Sequence, residues 1–194
     1  MPQNAPSPVS VRLDVRVAKW EMRTQRLWIR VIEAADVGAL AEVDGFAEVR
    51  AAIDPFDEFI PADPELRREY ERRLVGHAGF LAAVEPSSGR LLGWFQLQDA
   101  AERPGEVELG YRLRPDVWGR GYATEGAGAL LALALARPGV RRVYAHALLS
   151  NAASIRVMEK IGMTYAGPWA YKGLPGAEYE AVPEAMAGAR EHGT

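Results

Sequence analysis

The sequence predicts a single mixed α/β domain, and three observations favour that fold class. A length of 194 residues makes one domain with one sizeable core the default. The predicted elements run in the order of early helices, an antiparallel meander, and a final strand–helix–strand–helix–strand unit. The chain also shows no internal repeat and no long linker that would divide it.

Composition narrows the class of function. Apolar residues make up 48% and charged residues 25% of the chain, which is typical of a globular protein, and the net charge of −3 argues against a general nucleic-acid binder. The absence of cysteine excludes disulfides, a thiol nucleophile and a thiolate metal site, and the scattered histidines predict no metal site. Because no apolar run reaches the length of a membrane span and the N-terminus lacks the apolar segment of a signal peptide, we expect a cytoplasmic protein without a membrane or nucleic-acid partner.

Periodicity places the elements of the first half. Residues 1–8 predict a tail, and the apolar alternation of residues 9–17 predicts a strand at a sheet edge. A second strand is expected at 27–31 and a short helix at 34–43. Residues 64–74 interleave Glu with Arg, which predicts a helix whose charges face solvent.

Turn and cap residues place the elements of the second half. The turn Pro86-Ser87-Ser88-Gly89 joins two strand-like segments into a hairpin, and Asn151 is a helix N-cap. The predicted elements are strands at 80–84, 91–97, 106–113 and 140–148, helices at 119–136 and 151–161, and last strands at 163–169 and 179–186.

The segment Trp118-Gly119-Arg120-Gly121-Tyr122-Ala123-Thr124-Glu125 lies between a strand and an apolar helix. Two glycines at such a junction let the backbone approach a ligand, and the free N–H groups of the first helical turn then bind phosphate. A dinucleotide fingerprint would place Gly or Ala at Thr124, and a Walker A loop needs Gly-Lys, which is absent. A plain turn before a buried helix remains the alternative.

A second motif, Asn151 through Met163, follows the strand after the glycine loop. Together with Glu108-Leu109-Gly110-Tyr111, Thr24-Gln25-Arg26-Leu27 and Leu92-Gly93, it resembles the GNAT N-acetyltransferase superfamily, and more narrowly its RimJ/RimL-like branch, over roughly residues 24–186. The resemblance implies one domain at 23–187, with an N-terminal extension at 1–22 and a C-terminal tail at 188–194. It implies a curved, mixed, mostly antiparallel sheet with helices on both faces, and acetyl-CoA between the two splayed parallel strands 106–113 and 140–149.

The resemblance also implies where acetyl-CoA is held. Asp116 stands where the family usually has Arg or Gln, but backbone donors do not depend on that side chain. We expect Glu125 to complement the helix dipole. The expected cofactor contacts are Leu113, Trp118, Gly119, Arg120, Gly121, Tyr122, Ala123, Thr124, Asn151 and Ser154.

Amide formation needs a base for the amine and a proton for the departing thiolate. Glu108 is the leading candidate base. Many relatives protonate the thiolate with a Tyr where this chain has Met158, so Ser154 is the expected donor. Tyr165 is a weaker candidate donor and is expected in the core. His146 lies on the splayed strand; an orientation toward the acceptor is left open, but a histidine without a chemical role is expected.

The predicted activity is therefore transfer of the acetyl group of acetyl-CoA to a primary amine. At pH 7, deprotonating a terminal α-amine costs about 1 kcal/mol and a lysine about 4.6 kcal/mol. The chain lacks an obvious His–acid pair for a lysine, so a peptide α-amine is favoured, and the acids of loop 54–63 suit a cationic acceptor. A small-molecule amine acceptor and a non-catalytic acyl-CoA sensor remain alternatives, and a homodimer is left open.

Overall fold

A computed structural model describes residues 20–53 and 60–184. The predicted tail, the predicted strand at 9–17 and most of the acidic loop at 54–63 lie outside these ranges. The eight strands are β1 (Glu21–Arg23), β2 (Trp28–Val31), β3 (Phe80–Glu85), β4 (Arg90–Asp99), β5 (Glu106–Leu113), β6 (Arg142–Leu148), β7 (Thr164–Tyr171) and β8 (Leu174–Ala181). The five α-helices within the described ranges are α1 (Val37–Val43), α2 (Ala47–Ile53), α3 (Pro64–Arg72), α4 (Tyr122–Leu135) and α5 (Ala152–Lys160).

All eight strands form one sheet, in the order β1-β2-β3-β4-β5-β6-β8-β7. Every neighbouring pair is antiparallel except β5 and β6, which are parallel and joined through α4. That pair is bonded only where Glu106 faces Arg142, Val107 faces Val143 and Glu108 faces Tyr144. Beyond these residues the two strands separate, which confirms the predicted splay.

The two faces of the sheet bury separate clusters. One face packs against α4 and α5, and its central residues include Phe95, Leu109 and Leu130. The other face carries a smaller cluster, which includes Leu40 and Trp94 and is covered by α1 and α3. Because side chains alternate along a strand, β3 and β4 contribute buried residues to both clusters.

Several elements differ from the sequence-based expectation. The predicted helix at 34–43 divides into a 3₁₀ turn and α1, α2 was not predicted, and β1 straddles the predicted domain boundary after residue 22. The last strand, β8, begins at Leu174 and not at Tyr179, because Lys172 and Gly173 adopt positive φ and close a tight hairpin with β7. No helix in 20–53 or 60–184 combines the length and apolarity needed to cross a membrane.

The charged helix α3 corrects one expectation in a more instructive way. Arg67 and Glu71 are buried, with 9% and 0% of their surfaces exposed, although every charge of this helix was expected to face solvent. Glu71 faces the buried Asp44, and Arg112 donates to Asp44 at 2.5 Å. Burial, reinforced by the charge of Asp44, raises the pKa of Glu71 to about 9, so this carboxyl holds its proton at neutral pH.

Candidate functional site

The separation of β5 from β6 opens two cavities that meet inside the sheet. The first, of about 290 Å³, lies between the glycine loop, the start of α4 and α5. The second, of about 300 Å³, lies between β5, β6 and β7. Both reach through the gap between the splayed strands, and six residues line both: Ala52, Ile53, Tyr111, Arg112, Asn151 and Ser154.

The glycine loop forms the wall of the first cavity. Gly119 and Gly121 have φ of 73° and 82°, a left-handed conformation that glycine adopts without strain. Gly121 is the N-cap of α4, and the N–H groups of residues 119–124 have no hydrogen-bond partner within the described residues. Six unpaired donors at a helix N-terminus make a site for an anion such as a phosphate.

One local contact and one contact from a distant part of the sequence hold this loop in place. The Trp118 indole donates to the Leu113 carbonyl at 2.7 Å, and the Arg26 guanidinium donates to the Arg120 carbonyl at 2.8 Å. Glu125 accepts hydrogen bonds from Thr24 Oγ1, Arg26 N and Arg26 Nε at 2.5 to 2.7 Å. Partial burial opposes ionisation of Glu125, but these donors hold its pKa below the ordinary value. Glu125 therefore fixes the loop, beyond the helix-dipole role that the sequence suggested.

Asp116, the departure from the family pattern, has a structural role. Its carboxylate accepts from Arg90 Nη2 at 2.5 Å and from Arg114 Nε at 2.9 Å. These hydrogen bonds and charges lower the pKa of Asp116, so the carboxylate stays ionised. Asp116 does not line the first cavity, and its charge is paired with those of Arg90 and Arg114.

The second cavity opens onto a polar part of the sheet. Glu108 lines it and accepts a hydrogen bond from Gln96 Nε2 at 3.1 Å. Three aromatic residues line the same cavity: Trp94, Trp169 and Tyr171. The predicted base therefore lies in a cavity large enough to hold a small amine head group.

His146 faces the second cavity, which is the alternative that its position on the splayed strand had left open. It lines the second cavity across the gap from Glu108, and its ring stacks on Trp169 at 4.6 Å between centroids. His146 Nε2 lies 2.7 Å from Glu178 Oε2, and Arg142 holds the other oxygen of Glu178. The expectation that the chain lacks a His–acid pair is therefore wrong. The partners come from adjacent strands but are 32 positions apart in sequence, so no local pattern shows them.

Asn151 and Ser154 lie where the cavities meet. Asn151 caps α5, as predicted, and its side-chain oxygen accepts from the Ser154 N–H at 3.1 Å. Met158 is 2% exposed on the same helix and faces the second cavity. Tyr165, expected in the core, is 60% exposed and lines neither cavity. It lies on the edge strand β7, beside an irregularity in the pairing with β8 between Tyr165 and Gly167.

Most of the predicted cofactor contacts surround the first cavity. Leu113, Trp118, Gly119, Gly121, Tyr122, Ala123, Thr124, Asn151 and Ser154 line it, and Arg120 does not. Arg120 is exposed to solvent, and its backbone carbonyl is the atom that accepts from Arg26. In the described part of the chain, no three His, Asp or Glu residues come close enough together to hold a metal ion.

A sheet with one splayed parallel pair, and a loop of unpaired N–H groups beside the gap, is the arrangement that the resemblance to acetyl-CoA-dependent acyltransferases implied. A family model described as the acetyltransferase (GNAT) domain matches residues 26–164, so the chain belongs to the GNAT acetyltransferase family.

Relatives and solved structures agree with that family. The chain is 32% identical over 94 residues to the FsC-acetyl coenzyme A-N(2)-transacetylase of Aspergillus fumigatus, a match that covers 45% of this chain and 40% of that protein. A GNAT-family acetyltransferase structure from Bacillus anthracis is similar with a TM-score of 0.73 and 26% identity, over 84% of this chain and 98% of that one. A ribosomal-protein-S5-alanine acetyltransferase structure from Vibrio fischeri shares the fold with a TM-score of 0.69 and 15% identity, over 85% and 97%.

Proposed function

We propose that this protein transfers the acetyl group of acetyl-CoA to a primary amine by direct attack in a ternary complex. The observation that carries the proposal is the meeting of two cavities in the gap between β5 and β6. One cavity ends at a loop of unpaired N–H groups, and the other ends at carboxylate and imidazole groups. Direct attack needs this arrangement, because the thioester and the amine must reach one point from opposite sides.

The cofactor is proposed to lie along the first cavity. Its pyrophosphate would accept from the N–H groups of residues 119–124, which are already oriented and need no rearrangement. The charge is further stabilised by the dipole of α4, an effect of about 0.3–1 kcal/mol. Leu113, at the end of β5, and Asn151 and Ser154, on the opposite wall, would border the arm that carries the acetyl group.

The amine is proposed to enter through the second cavity. Glu108 acts there as the base that receives the amine proton, directly or through a water molecule. The pair of His146 and Glu178 lies across the gap and is a second basic group within the same cavity. Ser154 lies at the meeting point, where it would serve the departing sulfur.

A peptide or protein N-terminal α-amine is the proposed acceptor. It needs about 3.6 kcal/mol less than lysine for deprotonation at pH 7, as the reference pKa values require. The His146–Glu178 pair removes one reason to reject a lysine side chain as the acceptor. The preference for an α-amine therefore rests on the difference in deprotonation energy and on the size of the cavity. At about 300 Å³, the second cavity is at the small end of ligand sites and suits one terminal residue or a small-molecule amine.

An amine panel tests the proposal. Purified protein is incubated with acetyl-CoA and, separately, N-terminal peptides, N-blocked lysine peptides and small polyamines, while thiol release and product mass are measured. Acetylation of peptide α-amines supports the proposed acceptor, and acetylation of polyamines alone overturns it in favour of a small-molecule enzyme. Binding of CoA without modification of any amine would instead favour the acyl-CoA sensor.

A further inference from the structure

The departing sulfur of CoA needs a proton donor when the C–S bond breaks. Where the family's usual donor would stand, Met158 is buried and carries no ionisable hydrogen. A donor must therefore come from the residues that line both cavities, because the thioester has to lie where they meet. Tyr111 and Ser154 are the hydroxyl-bearing members of that set.

Tyr111 is placed on β5 with its hydroxyl inside the gap. Its ring packs 6.1 Å from Phe95 between centroids, which holds the ring against the helix-side face of the sheet. The hydroxyl is buried, and no hydrogen bond of acceptable geometry reaches it from the described residues. A buried hydroxyl without a hydrogen-bond partner costs free energy in the folded protein. A ligand atom in the gap that forms a hydrogen bond with this hydroxyl would remove that cost.

Ser154 lies beside Tyr111 on the opposite wall. Burial raises the pKa of Tyr111 and the nearby Ser154 hydroxyl lowers it in part, although the two hydroxyls do not meet strict hydrogen-bond geometry. The phenol thus stays protonated at neutral pH and has a hydrogen to give. Ser154 faces the same gap from the first turn of α5, where Asn151 fixes its backbone.

We propose that Tyr111 donates the proton to the departing sulfur of CoA. Ser154 then acts on the sulfur only indirectly, because its hydroxyl passes a proton back to Tyr111. This inference rests on the acetyltransferase function proposed above. The amine nitrogen forms its bond to the acetyl carbon, the C–S bond breaks, and its electron pair goes to sulfur. Tyr111 gives its O–H hydrogen to that sulfur. The proton that Glu108 took from the amine then passes through water and Ser154 to the Tyr111 phenolate, which restores both the carboxylate and the phenol. A phenol suits this step better than a serine, because it is by far the stronger acid.

The test compares Tyr111→Phe with Ser154→Ala and with the matched control Tyr165→Phe, whose side chain is exposed and lines neither cavity. Turnover is measured with acetyl-CoA and with the acetyl selenoester in which selenium replaces the CoA sulfur. The selenolate leaves without a proton, so it does not need an acid. Calorimetry with CoA measures whether each variant still binds cofactor.

Tyr111→Phe should lower kcat with the thioester about 100-fold or more, in the range of general acid catalysis. With the selenoester its loss should be within about fivefold, and its Kd for CoA should stay within about twofold of the wild type, because the phenol contributes to the leaving step and not to binding. An equal loss of kcat with the thioester and with the selenoester would overturn the role of Tyr111. So would an unchanged kcat under conditions where chemistry limits the rate.

A second variant keeps the proposal testable if Tyr111→Phe fails to fold. Incorporation of difluorotyrosine at position 111 preserves the ring and lowers the pKa of the phenol, so the alkaline limb of kcat should move to lower pH. The other charged and titratable groups that line the two cavities are Glu108, Arg112, Tyr122, His146, Arg156, Lys160 and Tyr171, and both proteins share them. A limb that does not move would overturn the proposal.

The wild type in the same assay separates the two proposals. A wild type that binds CoA but modifies no amine overturns the acetyltransferase function and this inference with it. An active wild type whose Tyr111→Phe variant is equally active overturns only the proton donor.

Discussion

Replacing Gly126 with Ala should destabilise the fold, although helix propensity predicts the opposite. Gly126 lies inside α4, where a change from Gly to Ala is worth roughly 0.5–1 kcal/mol in favour of the helix. A Cβ at this position would overlap the ring of Phe95 and lie 2.9 Å from its Cε1 atom. Phe95 is fully buried at the centre of the larger cluster, so its ring has no free space to move into.

The size of the effect follows from these two opposing terms. Forcing one methyl group into a packed core costs roughly 1–3 kcal/mol. The contact with Phe95 involves three ring atoms at 2.9 Å or less, so we expect a cost near the upper end of that range. After the helix term is subtracted, Gly126→Ala should lower the free energy of unfolding by about 2–2.5 kcal/mol.

A neighbouring glycine supplies the matched control. A Cβ at Gly128 would lie 3.4 Å from Ile161 Cγ2, which is an ordinary contact, so Gly128→Ala should stabilise the protein by up to about 1 kcal/mol. Urea denaturation followed by circular dichroism measures both variants against the wild type, with the slope m checked for constancy. If Gly126→Ala matched Gly128→Ala in sign and size, the close approach of α4 to β4 would be wrong.

Three further predictions concern the site and the buried acids. Gly121→Val should weaken CoA binding at least tenfold by calorimetry. Gly139→Val carries the same backbone strain, with φ of 84° away from the cavity, and should not, so equal affinity losses would refute the N–H cradle. The pKa of Glu71 is about 9 in the folded protein. Between pH 5 and 9 the native state therefore keeps a proton that the unfolded chain has released, so the free energy of unfolding of the wild type should fall by up to about 1.4 kcal/mol per pH unit as the pH rises. Glu71→Gln should flatten that loss in urea titrations across this window, and a parallel curve would contradict it. Glu108→Gln should lower kcat/KM about 100-fold, more than His146→Asn does, and the reverse order would make His146 the base.

The sequence predicted the parts of the site that depend on local geometry. A strand, a Gly-x-Gly turn and an apolar helix specify the positive φ of Gly119 and Gly121 and the unpaired N–H groups that follow. Asn151 at the start of a helix predicts its own hydrogen bond to the Ser154 N–H. These features lie within a few residues of each other, so their residue types alone determine them. The fold class followed from the order of the predicted elements, the resemblance to the family followed from the motifs, and the splayed pair was what that resemblance implied.

Only the tertiary structure decided which distant groups meet. Glu125 holds Arg26 from 99 positions away, and His146 holds Glu178 because β8 and not β5 is its antiparallel neighbour. The Glu and Arg residues of α3 have one pattern in the sequence, yet Arg67 and Glu71 are buried while the other charged residues of the helix are exposed. Periodicity gives the face on which a residue lies, but the element that covers that face is set by the packing of the whole chain. The sequence by itself therefore determined where acetyl-CoA is expected to bind, and the packed structure decided which acids and hydroxyls surround the reacting atoms.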